Sequence, residues 1–376
     1  MNKYRKGDLI VVAKRKNNLQ RKFLIVNKLQ AKHLAVSPDK TLELFHTLGS
    51  ILKEKYLDEK VLIIGFAETA TAIGAVVAGC FSKTTKYIHT TRENIQQIST
   101  GEVAEQIIDF SEEHSHATEQ KLFCSKKEEF IGDADRIIFV EDEVTTGNTI
   151  LNFIKAFRAG HTQNIKFSIA SILNAMSADN IKYFEESKIE CHYILKIDID
   201  DFDTEFEYEF EQNEYNPDEM SCITMLDNNN HQMKHYDFGG MLNPRSGVVI
   251  GEYESACRQL SDDIIYNLGS KIFKSKDILI LGTEEFMYPA IHIAETILKK
   301  YNPKSVKTHS TTRSPILVSA SQDYPINSRY NLKSLYDEER STFIYNLDIY
   351  DKVLIVTDSI NCSNTDRKST RLNSIH

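Results

Sequence analysis

Residues 137–149, Ile-Ile-Phe-Val-Glu-Asp-Glu-Val-Thr-Thr-Gly-Asn-Thr, constrain this chain more than any other stretch. Ile137 to Val140 form an apolar run long enough for a buried strand. Glu141 and Asp142 follow at once, then Thr145-Thr146-Gly147-Asn148-Thr149, and an amphipathic helix is expected from about Ile150. A small, hydroxyl-rich loop between a strand and a helix N-terminus is a phosphate cradle, because its backbone N–H groups and the helix dipole both point at the anion. Gly147 permits a positive φ and close backbone approach. Carboxylates beside an anion site call for a ligand that carries hydroxyls as well as phosphate. A ribose 5-phosphate fits: the threonines and N–H groups hold the phosphate, and Glu141 and Asp142 accept hydrogen bonds from the 2- and 3-hydroxyls. A polar-capped strand–turn–helix with no ligand is the plainer alternative.

The surrounding sequence alternates strands and helices. Strands are expected at 23–26, 61–64, 86–90, 137–140, 167–172 and 190–196, and helices at 41–55, 69–80, 101–110, 150–158 and 177–187. This is an α/β pattern with a mostly parallel sheet covered on both faces. Ligands of such sheets sit at the carboxyl ends of the strands, so the loops after 64, 90 and 140 should meet. The loop after 64, Gly65-Phe66-Ala67-Glu68-Thr69 and on to Gly74, is a second candidate anion site; a tight helix start reads equally well. Arg92 follows the strand near 88 and suits a diphosphate, since a guanidinium donates in a fixed fork; a surface ion pair with Glu93 is the alternative. The polar segment 93–130 carries His114 and His116 among acids, either donors to a leaving group or part of a solvated loop. Asn27-Lys28-Leu29-Gln30-Ala31-Lys32-His33 could line the substrate side, but an edge turn with exposed lysines is the preferred reading.

These motifs resemble the type I phosphoribosyltransferases, whose signature is four apolar residues, an acidic pair and Thr-Thr-Gly-x-Thr. Glu143 departs from that pattern, where an aliphatic residue is usual. The resemblance implies a donor, 5-phosphoribosyl 1-diphosphate (PRPP), held at its 5-phosphate by Thr145, Thr146, Gly147, Asn148 and Thr149. Its diphosphate would meet Gly65, Phe66, Ala67, Glu68 and Thr69. Glu141, Asp142, Arg92, His114 and His116 are the candidate catalytic residues. The segment 93–130 would be a mobile lid. Mg²⁺ is implied as a cofactor held through PRPP, with no direct protein site. The acceptor would be a nitrogenous base, chosen by a hood for which strand 190–196 and the acidic stretch after it are candidates. A homodimer is also an expectation of the family.

Three segments recur in order further along. Ile278 to Glu285 echoes Val61 to Glu68, Ser310-Thr311-Thr312-Arg313-Ser314 echoes His89 to Glu93, and Val353 to Thr365 echoes Ile137 to Thr149. A second α/β unit of the same design is the economical reading. The copy is degraded where chemistry matters: Thr357 stands at the place of Glu141, Cys362 at Thr146 and Ser363 at Gly147. Its polar loops still offer Asn243, Arg245, Glu284, Glu285, Arg313 and Ser314 as binding candidates. Thr312-Arg313-Ser314-Pro315 resembles the name-giving motif of the TRSP domain, which follows a divergent phosphoribosyltransferase domain in proteins encoded near bacterial tellurium-resistance and stress genes. The expected organisation is therefore a phosphoribosyltransferase domain over 1–200, an acidic hood or linker over 198–235 and a TRSP domain over 236–365.

Composition narrows the rest. The net charge of −9 is uneven: residues 198–220 hold eleven acids and no Lys or Arg, which leaves the remainder at +2. Broad affinity for nucleic acid is not indicated. Within the stretch Phe206, Tyr208 and Phe210 alternate with glutamates, which predicts an exposed strand with an aromatic inner face. Cys80, Cys124, Cys191, Cys222, Cys257 and Cys362 are scattered with no zinc spacing, as expected of reduced thiols in a cytoplasmic protein. The apolar run Ala72 to Phe81 is too short to span a bilayer. Asp366 to His376 resembles a translated sequencing adaptor, and the natural chain is expected to continue past Thr365. Two other functions compete: a non-catalytic nucleotide- or PRPP-sensing regulator on the same fold, and a diphosphokinase, against which stands the lack of an obvious ATP-binding loop.

Overall fold

The computed structural model describes residues 3–16, 21–93, 105–110, 120–125, 127–160, 164–202, 204, 207–210, 213–216 and 234–359. The chain packs as two compact units, and each is assembled from separate stretches. The first comprises Met1–Lys6, Leu42–Asp201 and Gly240–Gln259; the second comprises Gly7–Thr41, Phe202–Gly239 and Leu260–His376. The boundaries expected from sequence ran without interleaving, so Gly7–Thr41 and Gly240–Gln259 each group elsewhere. Pairing accounts for the difference. Val36 exchanges backbone hydrogen bonds with Thr308 and Arg15 bridges Ile316, while Val248 and Val249 pair with Tyr87 and Lys86.

The first unit is built on a six-stranded sheet. Its strands are β1 (Val61–Gly65), β2 (Lys86–His89), β3 (Arg136–Val144), β4 (Lys166–Asn174) and β5 (Ile189–Lys196), all parallel, in the order β2-β1-β3-β4-β5. The two-residue strand Val248–Val249 adds antiparallel to the β2 edge. β1 is buried along its whole length, as its unbroken Val-Leu-Ile-Ile run requires of a sheet covered on both faces. Helix α1 (Thr71–Phe81) is made of small and apolar residues and is buried from Thr71 to Ala78. Helix α2 (Asn148–Gly160) turns Ile150, Phe153, Ile154 and Phe157 inward at helical spacing. Their rings meet the sheet: Phe153 lies edge-on to Phe139 at 5.0 Å, and Phe157 edge-on to Phe167 at 5.8 Å. Helix α3 (Ala178–Glu186) is capped by Ser177, whose hydroxyl accepts from the Asn180 N–H, and it buries Phe184. The strand order reverses direction at β1 and β3, which opens a crevice outside their carboxyl ends.

Three local expectations for this unit are corrected. Residues 101–110 were read as a helix, but Glu105–Phe110 is a strand, antiparallel to Gln120–Cys124. Partner pairing overrides a weak helical pattern there, since Gln120–Cys124 alternates buried and half-buried residues as a strand does. β3 was expected to end at Val140 and runs on to Val144, because β4 continues beside it: Glu141 pairs with Ser171, Glu143 with Leu173 and Val144 with Asn174. α2 starts at Asn148, two residues before the expected point.

The second unit carries three parallel strands, β6 (Asp277–Gly282), β7 (Ser305–Ser310) and β10 (Lys352–Val356), with β6 central. Beside them β8 (Arg329–Lys333) and β9 (Ser341–Tyr345) form an antiparallel hairpin. Helix α4 (Tyr288–Tyr301) starts with Pro289 in its first turn and ends at Asn302 in the left-handed conformation. A second hairpin, Ile10–Lys14 with Phe23–Asn27, shares a core with Ile316, Val318, Tyr324, Ile326 and Tyr345. Tyr208 and Phe210 pack on that core while Glu207 and Glu209 are exposed. The aromatic inner face is therefore present, but residues 207–210 form no strand and bend at Tyr208; Phe206 lies outside the described residues.

The two units share a hydrogen-bond frame. In the first, Thr90 N–H donates to Gly65 O at 2.9 Å and the Ala67 N–H to Thr90 Oγ1 at 2.8 Å; Thr91 and Lys121 exchange N–H···O=C bonds at 2.9 Å each. In the second, Thr311 N–H donates to Gly282 O at 3.0 Å and the Glu284 N–H to Thr311 Oγ1 at 2.9 Å; Thr312 and Phe343 exchange bonds at 3.0 and 2.8 Å. The recurrence of sequence segments thus corresponds to a recurrence of structure. Among the described residues no helix is long and apolar enough to cross a membrane.

Candidate active site

At the carboxyl end of β1 the chain turns sharply. Gly65 is required here, because a Cβ would lie 2.9 Å from Ala70 O. Phe66 donates its N–H to Val140 O at 3.0 Å, and its ring is buried against Phe139 and Phe153. Both commit Phe66 to the scaffold. Ala67 is fixed by Thr90, whose hydroxyl in turn donates to Gln120 Oε1 at 2.6 Å; the Ala67–Glu68 peptide is cis. Glu68 is buried. Thr69 donates its hydroxyl to Asp142 Oδ1 at 2.8 Å, so the loop after β1 is tied directly to the acidic residues of β3.

Because Glu141 and Asp142 lie within a strand, they leave opposite faces of it. Asp142 reaches Thr69; Glu141 and Glu143 share the other face. Both acids of the expected pair are half-buried. The chain then passes Thr145 and Thr146 to Gly147, which has φ +76° and is buried. Thr146 accepts the Asn148 N–H at 3.3 Å, and both residues are exposed, whereas Thr145 and Thr149 are half-buried. The first turn of α2 holds no acid that would neutralise its dipole. A thirteen-residue helix with this start is suited to an anion.

Arg92 is half-buried just beyond β2, in the third of the strand-end loops, and the neighbouring Glu93 N–H is held by Thr91 Oγ1 at 2.9 Å. The structure therefore gathers residues 65–69, 90–92 and 141–149 at one end of the sheet. His114 and His116 lie outside the described residues. A cavity of about 410 Å³ lined by Glu59, Asp135 and Lys166 lies at the other end of these strands.

The candidates of the repeat divide. Asn243 and Arg245 fall in the first unit, where the Asn243 side chain caps the Arg245 N–H at 3.1 Å and Arg245 is fully buried. Glu284, Glu285, Arg313 and Ser314 fall in the second, at the ends of β6 and β7. Arg313 Nε donates to Glu284 Oε2 at 2.6 Å and its NH2 lies 3.9 Å from Glu285. Ser314 accepts at its carbonyl from the Tyr345 hydroxyl at 2.6 Å. Two members of this cluster, Arg340 and Ser334, have no counterpart among the sequence expectations, and a third, Lys32, was placed differently. Arg340 NH2 lies 3.0 Å from Glu284 Oε2, and Ser334 donates to its other oxygen. Lys32, expected in an exposed turn, is fully buried and donates to Glu284 O at 2.8 Å and Thr311 O at 2.9 Å. The mixed Asn, Gln, Lys and His run around it was the available signal.

A family described as phosphoribosyl transferase matches residues 9–200. The chain belongs to this phosphoribosyl transferase family. Residues 246–371 match the TRSP domain that lies C-terminal to it. Solved structures similar to the chain include orotate phosphoribosyltransferase from Aeropyrum pernix, at 15% identity over 42% of this chain and 72% of that one, with a TM-score of 0.27. The adenine enzyme from Giardia lamblia, complexed with 9-deazaadenine, is 12% identical over 50% of this chain and 94% of its own, with a TM-score of 0.34. That from Rhodothermus marinus is 11% identical over 51% and 96%, with a TM-score of 0.33. No curated protein matches the chain.

Proposed function

We propose that the first unit transfers ribose 5-phosphate from PRPP to a nitrogenous base and releases diphosphate. The observation that carries this reading is the Thr69–Asp142 hydrogen bond, which links a candidate diphosphate loop to a candidate ribose-binding acid. Thr145 to Thr149 and the α2 N-terminus would hold the 5-phosphate. Asp142, the acid tied to the loop after β1, would accept from the ribose hydroxyls, a charge-assisted bond being worth about 1.5–3 kcal/mol, while Glu141 on the other face of the strand would add negative charge nearby. The C1–O bond to diphosphate breaks as positive charge develops on C1, and the C1–N bond forms from the opposite face. Arg92 and the amides of the loop after β1 would take up the charge of the departing diphosphate.

The donor set also suits Mg²⁺. Glu141 and Asp142 provide hard carboxylate oxygens. A cation held largely by substrate oxygens with one or two carboxylates is the usual arrangement for this ion. When bound it would supply charge neutralisation at the diphosphate. The acceptor class and the intracellular setting rest on family membership.

The test is calorimetry of PRPP with Mg²⁺, followed by a transfer assay against a panel of bases, on the wild type and Asp142→Asn. Binding and turnover in the wild type, with roughly a ten- to hundredfold loss in the variant, are expected. Unchanged kinetics in Asp142→Asn would remove the acid from the mechanism. PRPP binding with no turnover on any base would favour a sensing role.

A further inference from the structure

The frame of threonine hydrogen bonds is the same in the two units, but the residue whose N–H it fixes differs. Ala67 of the first unit, whose N–H is fixed by Thr90, carries only a methyl group. Its counterpart Glu284, whose N–H is fixed by Thr311, carries a carboxylate. That carboxylate is 1% exposed and receives Arg313 Nε at 2.6 Å, Arg340 NH2 at 3.0 Å and the Ser334 hydroxyl. Arg313 itself stands at the place of Arg92.

We propose that Arg313, Arg340 and Ser334 form a binding site for a small oxyanion, a phosphate or carboxylate group, which Glu284 fills from within the chain. Two guanidiniums and a hydroxyl converging on one planar anion are the donor set that recognises such groups. Glu284 adopts this position at φ +47°, a left-handed conformation that disfavours residues with a Cβ. The backbone geometry alone would select glycine or asparagine, so the carboxylate is what the position requires. A cavity of about 10 Å³ adjoins Glu284 on the side of Thr283, Thr311 and Leu332, room for no more than a single water. A free ligand would have to displace Glu284 to enter. The second unit thus keeps the anion-holding architecture of a strand-end crevice with its anion supplied internally. The inference is independent of whether the first unit transfers a phosphoribosyl group.

The experiment is a phosphate titration by calorimetry on the full chain and on Glu284→Gly, which removes the carboxylate and suits the positive φ. The variant is expected to take up one more equivalent of inorganic phosphate than the wild type, and Glu284→Gly/Arg340→Met is expected to lose it. A folded Glu284→Gly with wild-type stoichiometry would overturn the proposal. Glu284→Gln provides a second arm if the glycine variant does not fold. Its neutral amide removes the carboxylate that Arg313 and Arg340 share and leaves Glu285, 3.9 Å from Arg313, as the remaining acid of the cluster, so phosphate should raise its melting temperature more than the wild type's at matched ionic strength. Equal rises would overturn the proposal as well. If PRPP fails to bind the wild type but the extra phosphate site appears, only the reading of the first unit falls.

Discussion

Gly147 offers the sharpest test of the phosphate loop, because two separate requirements meet there. Its φ of +76° lies in the left-handed region, where an alanine costs roughly 1–2 kcal/mol. An alanine Cβ would also stand 2.5 Å from Phe184 Cζ and 2.6 Å from Cε2, on a ring that is fully buried. Relief requires about an ångström of movement in a packed core, and such overpacking costs about 1–3 kcal/mol. Gly147→Ala should therefore destabilise the first unit by about 2–5 kcal/mol. For a unit of this size, with a shift of about 2–4 °C per kcal/mol, the corresponding melting transition should fall by about 4–20 °C. Differential scanning calorimetry of the full chain measures it. Adding Phe184→Leu should return the overpacking part and leave the backbone part. A drop below about 2 °C in Gly147→Ala would refute the argument that conformation and the Phe184 wall together dictate glycine.

Two further outcomes are expected. Thr69→Ala removes the hydroxyl that holds Asp142 and should lower kcat/KM about tenfold or more, by the strength of a hydrogen bond to a charged acceptor; Thr69→Ser keeps the bond and should restore most of the rate, so equal loss in the two variants would dismiss the link. His309 donates from Nε2 to Tyr345 O and accepts the Ser310 N–H at Nδ1, at 2.9 and 2.7 Å, so both ring nitrogens are committed to the neutral form. Burial pushes its pKa down from 6.5 to about 4. The unfolded chain then binds more protons than the folded one between those values, so stability is level above about pH 6.5 and falls as pH drops toward 4, by about 3 kcal/mol in full. His309→Gln should flatten that part of the curve, and parallel pH–stability curves would contradict the assignment.

Much of this arrangement was legible where local pattern and tertiary context agree. The Val61–Ile64 and Ile137–Val140 runs are too apolar to be anything but buried strands, and the small residues of 71–80 suit only a helix packed tightly on a sheet. Legibility failed where pairing decided. Glu141, Asp142 and Glu143 carry charge that reads as loop, yet β4 extends alongside and keeps them in the ladder. The consequence is chemical, since pleating separates Glu141 from Asp142 and leaves Asp142 as the acid joined to the loop after β1. Residues 105–110 became a strand for the same reason, having Gln120–Cys124 as a partner.

Lys32 illustrates a deeper limit. An ammonium in a polar run between strand and Ser-Pro reads as exposed, because a buried unpaired cation is prohibitively costly. Its burial depends on carbonyls of Glu284 and Thr311, about two hundred and fifty or more residues away, which no local window contains. The same carbonyl-bearing residue supplies the carboxylate that Arg313 and Arg340 clasp. One glutamate thus anchors a lysine through its backbone and two arginines through its side chain, at the place where the first unit has an alanine. The matching threonine frames hold the two loops at equivalent amides, but side chain and backbone both differ there: Glu284 takes φ +47°, whereas in the first unit the Ala67–Glu68 peptide is cis. Sequence recurrence pointed to the two loops. Only the long-range ion pairs reveal that one of them has its anion built in.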